Sequence, residues 1–238
     1  SILIFIPKED FLAMRIPLKE RKLPAYSTGE QIFNSISHGI GALLSVVGLV
    51  LMLIQSAKFG DAWSTVSAAI YGSSLIILYT MSCLYHGLTH FMAKRVFQVI
   101  DHCSVFLLIA GSYTPLTLAL LRRERPTLAW TIFGVVWTSA VLGIILNSID
   151  LKRFATFSMV CYLAMGWCII IAIRPLKQML PSAAVKLLVW GGIAYTIGAI
   201  LYGVGKRKFT WMHGVFHVFV LLGSILHFWC IYRYVLPL

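Results

Sequence analysis

Residues 213–235 read HGVFHVFVLLGSILHFWCIYRYV, with Arg233 near the end as the one permanently charged side chain. At about 1.5 Å of rise per residue, a helix of this length crosses the roughly 30 Å hydrocarbon core of a bilayer. The run opens with His213 and His217, four residues apart and so on one helix face. One stretch therefore carries two readings, a membrane span and, at one of its ends, a pair of imidazoles projecting the same way.

Six more runs of this kind precede it, at 32–54, 63–86, 97–121, 128–148, 154–173 and 185–204. The whole chain agrees with them: 59% of its 238 residues are apolar, 12% are charged, and its mean hydropathy is +0.86. Soluble domains run near 45–50% apolar and about 25% charged, so an aqueous fold would expose large apolar patches. The reading is an all-α, polytopic membrane protein, a bundle of seven transmembrane helices spanning 27–238, preceded by a basic and apolar segment 1–26. That segment carries five basic residues among apolar ones, a pattern that suits the membrane surface. Its opening Ser1–Ile6 run is shorter than a signal-peptide core of about 7–15 residues, so no cleaved export signal is expected.

The net charge of +12 would point to nucleic acid on a soluble chain. Here the basic residues sit between the runs, at Lys58–Asp61, Ala93–Arg95, Arg122–Pro126, Asp150–Arg153, Arg174–Lys177 and Gly205–Lys208. Twelve Lys and Arg fall on the side of the N-terminus and eight on the other, which predicts a cytoplasmic N-terminus and an outside C-terminus. Pro126 suits the first turn of the fourth helix, Pro181 precedes the sixth, and Pro115 should kink the third. Cys83, Cys103, Cys161, Cys168 and Cys230 all lie in apolar runs with no metal or disulfide spacing, and read as packing residues.

Ionisable groups inside membrane helices are costly and mark function. Asp101 is the one acid inside a run, placed about one turn into the third helix. With the predicted topology, His38, His86, Asp101, His213 and His217 share one layer near the cytoplasmic face. Three imidazoles with a fourth position open is a catalytic zinc arrangement, and the alternative is a metal-free hydrogen-bonded cluster. His86 also pairs with His90 at four-residue spacing, so His90 is a rival ligand. His102 and His227 read as packing or interfacial residues. Ser27-Thr-Gly-Glu30 is a capping box, which competes with a functional role for Glu30. Glu30, Asn34 and His38 follow at four-residue intervals and form a polar stripe facing the bundle interior.

In order, Glu30-x3-Asn34-x3-His38, Ser82-x3-His86 with Asp101, and His213-x3-His217 resemble the motif blocks of the hemolysin III proteins and the progestin and adipoQ receptors. Ser37–Gly41, Ile100–His102, Leu107–Pro115 and Tyr162–Trp167 look like the bacterial hemolysin III branch. The resemblance covers about residues 27–236. It implies zinc held by His86, His213 and His217, a water between metal and Asp101, and Ser82 close by. It also implies a kinship with the alkaline ceramidases, which hydrolyse lipid amides. The expectation is a zinc-dependent hydrolase of a membrane-lipid amide or ester in the bacterial cytoplasmic membrane. Asp101 would take a proton from water and Ser82 would donate to an oxyanion. Two other readings stand beside it: a receptor or regulator with structural zinc, and a pore-forming hemolysin, for which the outer half of the helices offers little polar lining.

Overall fold

A computed structural model describes residues 17–205 and 209–238. Seven helices are long and apolar enough to cross a membrane: α1 (Thr28–Phe59), α2 (Ala62–Gly87), α3 (Phe91–Arg123), α4 (Pro126–Ile149), α5 (Ala155–Met179), α6 (Ser182–Gly205) and α7 (Met212–Val235). There is no strand among the described residues. The chain is a seven-helix membrane bundle. Its outer surface is an apolar belt, with Leu43 and Val47 of α1, Val141 of α4, Ile171 of α5 and Val204 of α6 exposed.

Helix ends follow from capping chemistry. Ser27 accepts from the Glu30 N–H while Glu30 accepts from the Ser27 N–H, closing the expected capping box at the start of α1. Asp61 caps α2 through the Ser64 N–H at 2.8 Å. Burial raises the Asp61 carboxyl, yet the Ser64 hydrogen bonds and then Arg123 and Arg122 hold it below the usual carboxylate range. Pro126 occupies the first turn of α4, as its missing N–H predicts.

Three expectations are corrected. Ala93–Arg95 is not a loop, because α3 begins at Phe91; its first turn mixes Lys94 and Arg95 with apolar side chains, and a search for uncharged runs passes over such a turn. Asp101 consequently lies about three turns into α3, not one. Arg174–Lys177 is not a loop either. The fifth helix narrows to a 3-10 segment at Cys168–Ala172 and resumes as α-helix over Ile173–Met179. Pro175 is tolerated there because the first turn of a helix needs no N–H partner. Pro115 opens a π-helical turn, Pro115–Leu120, in which the Thr117 hydroxyl donates to the Tyr113 and Thr114 carbonyls, satisfying backbone in a medium without water.

Residues 1–16 and 206–208, which hold most of the N-terminal segment and the basic residues of the sixth connection, lie outside the described residues. Residues 17–26 pass across the end of the bundle where α1 begins. The Arg21 guanidinium donates to the Ile149 carbonyl at 2.6 Å, and buried Arg95 donates to the Lys19 carbonyl. These contacts lead the chain to Tyr26, directly above the polar cluster.

Candidate metal centre

The inner face of α1 buries Glu30, Asn34, His38, Gly41, Ser45 and Gly48, so the predicted polar stripe does face the bundle. α7 approaches α1 closely: a Cβ at Gly214 would lie 2.9 Å from the Phe33 ring and 3.1 Å from Asn34 Oδ1. Trp211, just before α7, has φ 66°, the one left-handed non-glycine among the described residues. Such a conformation costs on the order of 1–2 kcal/mol, and the Trp211 N–H offsets it by donating to Glu30 Oε1 at 2.8 Å. Glu30 thus caps its own helix and pins the entry of α7. It stands outside the metal-ligand set, as a brace.

That brace, with α2 across the bundle, converges three imidazoles. His86 Nε2 lies 3.0 Å from His213 Nε2, which lies 3.1 Å from His217 Nε2. Among the described residues these three form the group whose ligand atoms all lie within 4.8 Å of one another, and each is buried. The set fits zinc. Four ligands at Zn–N distances of 2.0–2.1 Å in a tetrahedron stand about 3.3 Å apart, within a few tenths of an ångström of the observed separations.

The outer contacts also fit. His86 Nδ1 lies 2.9 Å from Gln31 Oε1, an oxygen that can only accept, so the proton sits on Nδ1 and the Nε2 lone pair faces its neighbours. His217 hydrogen-bonds the Asn34 backbone, with Ser37 Oγ 3.5 Å from its Nδ1. The Nε2 lone pairs of His86 and His217 thus both face His213 Nε2, and a cation held among the three would take both.

Gln31 gave no signal in the sequence, where a glutamine in a first helical turn is unremarked. Removing such an outer contact typically weakens metal binding about 10- to 100-fold. Gln31→Leu is therefore expected to lower zinc affinity by that factor in a chelator-competition titration, and Gln31→Glu to retain it.

Asp101 is 8% exposed and its carboxylate faces the Ser82 hydroxyl, but it does not belong to the group of three. It lines the same cavity as His213 and His217. His102 Nδ1 lies 2.9 Å from the Gln98 carbonyl and 3.6 Å from Asp101 Oδ2. The rival ligand His90 is exposed and serves as the N-cap of α3, accepting from the Ala93 N–H. His227 Nε2 faces the Leu188 carbonyl at 3.1 Å, tying α7 to α6.

Tyrosines collar the cluster. The Tyr26 ring lies 5.0 Å from that of His213 and 5.7 Å from that of His86, with Tyr85 4.4 Å from His86 and Tyr202 5.2 Å from His213. Burial, then nearby Tyr202, pushes the Tyr26 phenol well above its usual range, so it is neutral. From the cluster a cavity of about 160 Å³ runs between α3, α5, α6 and α7. Its head holds Ser82, Asp101, His213 and His217, and its body is apolar, with Val105, Met159, Leu163 and Ala199. The Tyr162–Trp167 stretch forms one wall. Tyr162 donates to the His102 carbonyl at 2.8 Å, the Trp167 indole to Thr196 Oγ1 at 2.9 Å, and the Gly166 carbonyl accepts from Tyr113.

Comparison with known proteins agrees with this architecture. Residues 26–228 match the profile of the family described as Haemolysin-III related. The chain is 42% identical over 208 residues to Hemolysin-3 of Bacillus cereus, covering 87% of this chain and 93% of that protein. It is 42% identical over 209 residues to the Hemolysin-3 homolog of Bacillus subtilis (strain 168), covering 88% and 96%. A more distant likeness, 24% identity over 231 residues, links it to the human monocyte to macrophage differentiation factor, with 94% and 91% covered. No solved structure gives a significant match. A buried three-histidine cluster in a seven-helix membrane bundle, with these matches along nearly its whole length, makes the chain a member of the haemolysin-III related family.

Proposed function

We propose that this protein is a zinc-dependent intramembrane hydrolase of a lipid amide or ester, working in the bacterial cytoplasmic membrane with its site toward the cytoplasm. The observation that carries the reading is the position of the three-histidine cluster, whose His213 and His217 line the polar head of an apolar cavity that also holds a carboxylate and a hydroxyl. The body of the cavity suits an acyl chain, and the head suits the group to be cleaved.

His86, His213 and His217 would hold the zinc. Bound there, zinc supplies Lewis acidity, which lowers the pKa of water from about 15.7 toward 7. Asp101 orients the attacking water and takes its proton. The Ser82 hydroxyl, directed at that carboxylate, fixes its orientation; once Asp101 is protonated, the same O–H can donate to the developing oxyanion. The tyrosine collar and the strap through Tyr26 keep bulk water from the head of the cavity. The orientation rests on the Lys and Arg count of the connections.

The test is release of fatty acid, by mass spectrometry, from a panel of long-chain amides and esters presented in nanodiscs. Turnover is expected to stop with a zinc chelator and return with added zinc. A zinc-replete protein that cleaves nothing in the panel would overturn the reading.

A further inference from the structure

One buried group near the metal centre is used by none of these steps. His38 of α1 lines the head of the cavity and is 3% exposed. Its ring lies flat on that of His217, with centroids 3.5 Å apart and 11° between planes, and meets the Tyr79 ring edge-on at 5.0 Å. One His38 ring nitrogen faces the His217 backbone, and the other meets no hydrogen-bond partner. Tyr79 does not serve it, since its hydroxyl donates to Ser224 Oγ at 2.7 Å.

A buried ring nitrogen without a partner, in a medium without water, is a standing cost. A phenyl ring would stack on His217 as well without that cost. That nitrogen is therefore placed for something that enters the cavity. A neutral imidazole offers one donor and one acceptor. Among the described residues no Lys or Arg lines this cavity, and Asp101 is its one acid, so a phosphate headgroup would meet a carboxylate and no side-chain cation. The His217 backbone carbonyl takes the imidazole's proton, so the free nitrogen is an acceptor, and a secondary amide supplies the N–H that it lacks. An ester presents acceptors alone.

We propose that His38 is a substrate-binding residue that reads the N–H of a neutral lipid amide and so selects amides over esters. This rests on the lipid-hydrolase reading above, and narrows it to secondary amides.

The experiment measures equilibrium binding of a fluorescent long-chain secondary amide and of its N-methyl tertiary analogue to the zinc-loaded protein in nanodiscs. Wild type, His38→Phe and His38→Gln are compared, with zinc content determined for each. Wild type is expected to bind the secondary amide about tenfold more tightly than the N-methyl analogue. In His38→Phe that preference should fall to within about twofold, and in His38→Gln, which keeps a donor and an acceptor, most of it should remain. Zinc content is expected to be unchanged in both variants.

A wild type without the preference, or a His38→Phe that keeps it, overturns the assignment. Loss of zinc from both variants overturns it as well, by making His38 part of the metal framework. Fatty-acid release assayed in the same samples separates the two proposals: an amide preference without turnover sinks the hydrolase and leaves His38 as the amide-reading residue, whereas turnover without the preference does the reverse.

Discussion

Asp101→Asn is expected to lower turnover of a lipid amide by about 10²- to 10⁴-fold, the contribution of a positioned general base, while leaving zinc content at the wild-type level. The split follows from geometry. Asp101 is buried at the head of the cavity but is not one of the three groups whose ligand atoms converge, so its loss removes no metal ligand. Asparagine keeps the size and the contact with Ser82 and cannot take a proton from water. Side-by-side zinc analysis and fatty-acid release check it. A receptor or regulator with structural zinc would show no turnover to lose; there, removing the metal would lower thermal stability and nothing else. Zinc lost together with Asp101 would make the carboxylate a ligand and contradict the assignment.

His213→Ala is expected to have the largest effect on the metal. His213 Nε2 is the middle atom of the three, 3.0 Å from one neighbour and 3.1 Å from the other, and its removal leaves two imidazoles with nothing between them. The loss of affinity should exceed the about 10- to 100-fold that an outer contact such as Gln31 is worth. Zinc per protein after purification should fall from near one to a small residue. Since α2 and α7 are joined here by the site, the variant should also melt at lower temperature in detergent, and added zinc should raise the melting point of wild type and not of the variant. Equal zinc shifts in both would contradict the assignment.

Much of this was legible in the sequence, and the failures have physical causes. Uncharged runs disclosed all seven spans, because lipid demands an apolar surface whatever the packing. Ser27-Thr-Gly-Glu30 disclosed the start of α1, because a capping box is local chemistry. The start of α3 at Phe91 and the end of α5 through Arg174–Lys177 escaped the reading because turns near the membrane surface tolerate charge. At the site, four-residue spacing placed His213 with His217, and topology placed His86 at their depth. The pairing of Gln31 with His86, the second bond of Glu30 to the Trp211 N–H, and Tyr26 above the cluster all join elements far apart in sequence. Nothing local marks such residues, and they become visible when the helices are packed.

The proposed three-histidine zinc centre is tested most directly by X-ray absorption at the zinc edge on protein purified without added metal. The account predicts stoichiometric zinc bound to three imidazole nitrogens at about 2.0–2.1 Å plus one oxygen, with the signal lost in the His86→Ala, His213→Ala double variant. Zinc absent from wild type, or full zinc retained by the double variant, would contradict it.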